Sequence, residues 1–451
     1  MLVPFNLRTY RIGIANGIAA YTGSRLADIN TIVPLLIHRL SHRAWIVGLV
    51  LGLRNIARIL VEVASARTLD ARDYKKRTYI FAAMGRGLSY VLVAVTLWFS
   101  EIIPTQIVLL AVILGVVGYA AALGPASLAF NDILAKSVPT TRRGSLQMFR
   151  KLGALVLIFA GVTPFVSWMI GPRSPLDFPH NYAALFGVAV IFYGTSWVLF
   201  AQVREPRSRS SKRKLTWNEH INRGVELFRN DSCYRRVLRI RLLIGIASMI
   251  RPFLIVFATE IWELPDEVAA TFIAVQVAAE FIGSVIAGRI SDHVGNRCAI
   301  LLMIVSLIIC SGAAVTAGSA MWDVPLTLVV WETNLQIIIL GLAFIGSGFY
   351  LASLSIGFTN YLMDIAPDEK RPSYIGFSTA FTVPLSFAPL LFGWSADVFG
   401  YLPIFIAALV LSLGSLYLFL QLPEPRDDLD DEELEEFRQS PVAKEPADSS
   451  E

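Results

Sequence analysis

Long apolar runs alternate with short polar intervals along the whole chain. A membrane helix needs about 20 mainly apolar residues. Runs of that order fall near 12–38, 44–66, 79–99, 105–135, 145–170, 181–203, 240–262, 267–290, 298–320, 334–362, 373–395 and 402–422. Twelve membrane helices are therefore expected. The longest interval, 204–238, divides them six and six. It opens on the basic string REPRSRSSKRKLTW and continues as NEHINRGVELFRNDSCYRR, a pattern that suits a short amphipathic helix lying on lipid headgroups. The expected organisation is a first bundle over 1–203, a basic linker over 204–238, a second bundle over 239–423 and an acidic tail over 424–451. The tail has almost no apolar residues and is expected to be disordered.

Composition supports a bilayer setting. Of the 451 residues, 55% are hydrophobic and only 16% charged, against about a quarter charged in soluble domains. The net charge of +4 matters less than its distribution. With the N-terminus cytoplasmic, 26 lysines and arginines fall in the inner intervals, and only Arg39, Arg43 and Arg173 in the outer ones. Such asymmetry predicts a multi-pass protein of the plasma (inner) membrane with both termini cytoplasmic. The N-terminal MLVPFNLRTYR carries no clean cleavage site and reads as the lead-in to an uncleaved first span. The 3 cysteines, Cys233, Cys298 and Cys310, are odd in number and scattered, so free thiols are expected.

The halves repeat one another. Ala66-Arg67-x-x-Asp70 recurs as Gly288-Arg289-x-x-Asp292, 222 residues later. Asn131, Pro139 and Arg143 recur as Asn360, Pro367 and Arg371 at nearly the same offset. Two matches at nearly one offset argue for parallel repeats about an axis normal to the membrane.

The second-half motif, G-x-x-x-x-G-R-x-x-D-x-x-G-x-R from Gly283 to Arg297, resembles the cytoplasmic loop signature of the major facilitator superfamily (MFS). The first-half copy is degenerate, keeping Arg67, Asp70 and the basic end Lys75-Lys76-Arg77 but not the glycines. The resemblance implies an all-α membrane protein of two six-helix bundles with pseudo-twofold symmetry. It also implies a secondary active transporter that moves a small solute by alternating access. It further implies a cytoplasmic latch. Gly283 and Gly288 would let helices approach closely. Asp70 and Asp292 would face the positive N-terminal ends of helices in the other half. Arg67, Arg289, Gly295, Arg297, Arg143 and Arg371 complete the latch. Two departures stand out: the fourth run has no mid-helix arginine, and the fifth has only Gly161-x-x-Pro164 where drug antiporters of the family carry a glycine-proline-glycine run.

Ionisable residues within spans are costly and usually functional. The first run holds Arg25 and Asp28; the second holds Arg54, Arg58 and Glu62 at helical spacing; the third holds Arg86; the seventh and eighth hold Arg251 and Glu280. Depth counted along each helix predicts the pairings Asp28–Arg54, Glu62–Arg86 and Arg251–Glu280. Glu62 and Arg86 are read as a structural ion pair. Arg25, Asp28, Arg54, Arg58, Arg251 and Glu280 are candidates for handling the solute or a coupling proton. The excess of arginine over acid suggests an anionic or zwitterionic solute, with protons as a coupling partner.

Other classes find little footing. No phosphate loop is present, and His38, His42, His180, His220 and His293 sit in intervals or at helix ends without clustering. No enzyme activity, metal, cofactor or nucleic-acid partner is expected, and the chain is expected to act as a monomer in the lipid bilayer. The competing reading is a transporter-like sensor, or an assembly or lipid-handling factor, that keeps the fold without solute flux.

Overall fold

Inside a bilayer every backbone N–H and C=O needs a partner within its own segment, so apolar runs of this length fold as helices. The structure is a computed structural model. It describes residues 7–70, 74–138, 140–206, 225–262, 264, 266–319, 325–328, 331–354, 357–366, 374, 377–378 and 380–424, some by their backbone alone. Among the described residues, ten helical stretches are long and apolar enough to cross a membrane, from Ala44–Ser65 to Leu402–Leu420. They match ten of the twelve expected spans. The first and eleventh are instead assembled from shorter pieces: Leu7–Leu26 with Ile32–Ser41, and a turn at Val383–Phe387 leading into Ala388–Phe399. The fold is thus an all-α membrane architecture, apart from a short antiparallel hairpin, Pro325–Leu328 with Trp331–Asn334, between the ninth and tenth spans. The hairpin was not expected; its residues, PLTLVVWETN, are rich in β-branched and aromatic types.

The seventh span differs from expectation in its start. It begins at Ser232, capped by the Asp231 carboxylate, which accepts from the Tyr234 N–H at 2.8 Å. Residues 232–238, assigned above to the linker, are its first turns. Of the rest of the linker, 225–230 are helical, and 207–224 lie outside the described residues, as does the tail from 425 onward.

Besides the eleventh, three spans are interrupted near their middle among the described residues, each for a local reason. In the first, Asp28 Oδ1 accepts from the Asn30 N–H at 2.8 Å and the Thr31 hydroxyl at 3.2 Å, a side-chain turn that competes with the helix. In the fifth, Pro164 cannot donate an N–H, and the helix widens into a π turn over Ile158–Val162. In the seventh, Pro252 follows a tight 3₁₀ turn at Ser248–Ile250. The first and seventh spans occupy equivalent places in the two halves, and both are interrupted there.

Each half is tied together on the face where the first span begins and the twelfth ends, here called the basic face. In the first half the Glu205 carboxylate, at the end of the sixth span, accepts from the Lys75 N–H at 2.7 Å and the Lys76 N–H at 2.8 Å, where the third span begins. Lys75 also reaches Asp132 of the fourth span at 2.6 Å, and Lys136 joins both acids. In the second half Glu424, just past the twelfth span, stands against Gly295 at the start of the ninth. Beside it Asn296 donates to Asp364 of the tenth span at 2.6 Å. The same plan is built twice, which is the pseudo-twofold repeat in three dimensions.

The principal contacts between halves, among the described residues, come from the segments nearer the opposite face. There the second and eleventh spans cross so closely that a Cβ on Gly48 would fall 2.1 Å from the Pro389 carbonyl oxygen, and one on Gly393 2.5 Å from that of Ala44. Asp397 accepts from the Ala44 N–H at 2.8 Å and the Trp45 N–H at 3.0 Å. Beside this crossing, His38 of the first span meets Glu260 of the seventh at 3.1 Å, and the Tyr401 hydroxyl donates to the same carboxylate. Burial, then the bond to Glu260, pushes the Tyr401 phenol up, so it stays protonated as the donor. This far face is the sealed one.

Candidate functional site

The broken first span ends its lower helix at Leu26, which leaves Arg25 and Asp28 beside the gap. Arg25 Nη1 donates to Asp28 Oδ2 at 3.0 Å. Its other terminal nitrogen contacts Glu280 of the eighth span directly. Arg25 thus bridges two carboxylates, one from each half. The side chains are 17%, 10% and 20% exposed for Arg25, Asp28 and Glu280, so the cluster is largely withdrawn from solvent. Lys151 of the fifth span lies within electrostatic reach of Arg25 and Glu280. A cavity of ≈ 10 Å³, room for about one water, adjoins the cluster, lined by Arg25, Asp28, Thr31, the π turn of the fifth span, and Gln276 with its neighbours on the eighth. The site therefore sits where the halves meet, between a broken helix and a widened one.

Chemically, such a cluster can exchange partners. An arginine shared between two acids binds an incoming oxyanion when one acid leaves, and the departing carboxylate then favours a proton. No cofactor or metal is needed for that exchange, and no group of acidic, histidine and cysteine side chains suited to a metal ion occurs among the described residues.

None of the three cross-helix pairings predicted from depth forms. Asp28 pairs with Arg25 rather than Arg54, and Arg54 donates to its neighbour Asn55 at 3.1 Å. Glu62 takes Arg58, one turn away on its own helix, at 3.7 Å. Arg86 instead donates to the Tyr119 hydroxyl at 2.7 Å and stands 4.9 Å over the Tyr119 and Tyr193 rings. Arg251 lies 4.9 Å over the Tyr350 ring and donates to the Ser248 carbonyl at 3.1 Å. The expected structural pair Glu62–Arg86 is thus corrected to Arg58–Glu62 and an arginine–tyrosine cluster. Depth fixes the level of a side chain but not its direction around the helix.

Of the latch residues, Arg371 lies outside the described residues, and Arg67, Asp70, Arg143 and Asp292 are described by backbone alone, within helices. Gly283 packs on the tenth span, where a Cβ would fall 3.0 Å from Ala352 Cβ. Gly288 faces open space, so close approach does not explain it. Gly295 has φ +130°, which only glycine adopts readily, and Arg297 lies 5.2 Å over the Phe419 ring. Arg289 is exposed. The described contacts of the motif stay within the second half.

The sequence reading passed over Glu205, Glu424, Lys151 and Arg150. The first two carry a visible signal, REP at 204–206 repeated as PEP at 423–425 after each bundle. The last two lie inside the fifth run, 145–170.

Two repeated six-span halves with a shared charge cluster at their junction define a membrane transporter built for alternating access. A model of the Major Facilitator Superfamily matches residues 13–377, and the chain belongs to that superfamily as a secondary active transporter. Among solved structures, a variant of the nucleoside transporter NupG is 12% identical with a TM-score of 0.68, covering 92% of this chain and 100% of that one. A D-xylose-proton symporter is 15% identical with a TM-score of 0.67, covering 93% and 99%. A bacterial homologue of the iron transporter ferroportin, in its inward-facing state, is 11% identical with a TM-score of 0.64, covering 93% and 99%. At these identities the likeness is one of fold. No curated protein matches the sequence.

Proposed function

We propose that this transporter carries a small anionic or zwitterionic solute that binds between the halves at Arg25 and displaces Glu280. The released carboxylate takes up a proton, which couples solute movement to the proton gradient. The single observation behind this reading is the Arg25 bridge between Asp28 in one half and Glu280 in the other. An ion pair across the moving interface changes whenever the halves rock; one inside a half does not. Asp28 stays with Arg25 because its second oxygen holds the helix break.

The basic residues of the intervals support a plasma-membrane protein with both termini in the cytoplasm. On that topology the far face, where the second and eleventh spans cross most closely, is the outside. Arg54 and Arg251 lend positive potential near the cleft and attract the anion.

The test begins with a thermal-shift screen of carboxylates, phosphomonoesters and amino acids to choose a solute. In proteoliposomes, Glu280→Gln is expected to keep solute counterflow and lose uptake driven by an imposed pH gradient. Arg25→Gln is expected to lose both. Gradient-driven uptake at the native rate in Glu280→Gln would remove the coupling role.

A further inference from the structure

The fifth span holds a second arginine whose surroundings are incomplete. Arg150 is 7% exposed, and its Nε and Nη1 are buried with no hydrogen-bond partner. Its guanidinium carbon stands 4.3 Å over the Phe130 ring and 6.0 Å from that of Tyr21. Aromatic faces offset part of the cost of burying a cation, but they accept none of its in-plane N–H groups. No carboxylate pairs with it among the described residues. Lys75 and Lys136 in the same bundle show the contrast, since both bring Asp132 with them. The room for Arg150 comes from Gly17 of the first span, where a Cβ would fall 2.2 Å from its Nε and 2.3 Å from its Cγ. Gly17 therefore forms a cradle that holds a bare guanidinium fork.

A planar fork with free donors in a dry setting is suited to a carboxylate or phosphate group. The first span supplies the route. Gly17, Tyr21 and Arg25 lie one turn apart on one face, so the cradle is about 12 Å from Arg25 along the helix, towards the basic face. Tyr21, between them, is 36% exposed.

Building on the reading of Arg25 as an anion site, we infer that Arg150, cradled by Gly17 and flanked by Tyr21, is a second station for the solute's oxyanion. The solute's carboxylate or phosphate passes from Arg25 to Arg150 on its way to the basic face. Because Arg150 belongs to the first half alone, this station does not depend on how the halves are rocked.

The test uses the full chain purified in a neutral detergent, with inorganic phosphate and citrate as probes and the melting temperature as readout. Arg25→Gln removes the central site, and the phosphate- and citrate-dependent rise in melting temperature is expected to persist in it. Adding Arg150→Gln is expected to raise the half-saturating concentration at least about tenfold, with Arg150→Lys recovering part of the effect. Gly17→Ala, which pushes the fork out of its cradle and leaves its charge, is expected to match Arg150→Gln and serves if that variant does not fold. An unchanged response in both double variants, or no response to either anion in Arg25→Gln, overturns the station. A response to phosphatidylglycerol but to neither free anion assigns it to a lipid headgroup and overturns the solute role. Loss of coupling in Glu280→Gln has no bearing on these readouts, so the two readings fail separately.

Discussion

The carboxylate of Asp397 caps the second span by accepting from the backbone N–H of Trp45 at 3.0 Å, and its other oxygen takes that of Ala44 at 2.8 Å. The first N–H groups of a helix have no partner inside it, and the helix dipole adds positive potential there. Here that need is met from the other half, so the cap holds only while the far face is closed. Asp397→Asn keeps an acceptor and loses the charge. It is expected to favour far-face opening by about 1 kcal/mol, or roughly fivefold in population. Maleimide labelling of Ser386→Cys, buried at the same crossing, should accelerate to match. An unchanged labelling rate would show that the cap does not hold the seal.

Backbone proximity makes the same seal intolerant of a single methyl group. A Cβ on Gly48 would meet the Pro389 carbonyl oxygen at 2.1 Å, and no side chain can rotate away to make room. Gly48→Ala is therefore expected to fold, to hold the far face open, and to lower uptake by at least about tenfold. Gly288→Ala is the matched control, since nothing lies within 4 Å of its added Cβ. It should leave uptake within about twofold, as benign substitutions do.

Glu205 concerns stability rather than gating. Its side chain is 2% exposed near Lys136, and it accepts the first N–H groups of the third span. Glu205→Ala leaves those backbone donors without their acceptor and Lys136 with Asp132 alone, at a cost of about 3 kcal/mol. Glu205→Gln keeps an acceptor and should lose less. Melting temperatures in detergent separate the three proteins; a Glu205→Ala midpoint equal to the native one would show that water replaces the carboxylate freely.

Much of this architecture is legible in the chain because a span is a long signal. About 20 apolar residues outweigh local propensity, and the motif at Gly283–Arg297 repeats the one at Arg67 and Asp70 at a fixed offset. Arg25, Asp28 and Glu280 were likewise singled out, because charge inside an apolar run is rarely idle. Their partnership was not legible. Glu280 was paired with Arg251 by depth within one half, whereas the structure joins it to Arg25 across the two. Depth follows from counting residues; azimuth and the packing of halves depend on contacts far apart in sequence. Helix breaks were also missed, although Asp28-Ile29-Asn30-Thr31 has the composition of a side-chain turn. Arg150 escaped notice because the face it turns inward is set by Gly17, 133 positions earlier.

The arginine–tyrosine cluster around Arg86 gives the sharpest check on the corrected pairing. Tyr90 and Tyr119 stack with centroids 4.3 Å apart, the Tyr119 hydroxyl donates to that of Tyr193 at 2.7 Å, and Arg86 donates to Tyr119 at 2.7 Å. Tyr119→Phe keeps the stack and removes the hydroxyl that accepts from Arg86, so the guanidinium loses an acceptor in a buried setting. A loss of about 2 kcal/mol is expected. Glu62 touches none of this. Its contact with Arg58 is a 3.7 Å pair one turn apart, with side chains 47% and 30% exposed for Arg58 and Glu62, and such pairs contribute about 0.3–0.5 kcal/mol. Glu62→Gln should therefore leave the melting temperature almost unchanged while Tyr119→Phe lowers it. If Arg86 were neutralised by Glu62 in the membrane, the order would reverse, with Glu62→Gln the more damaging because it strands a buried cation.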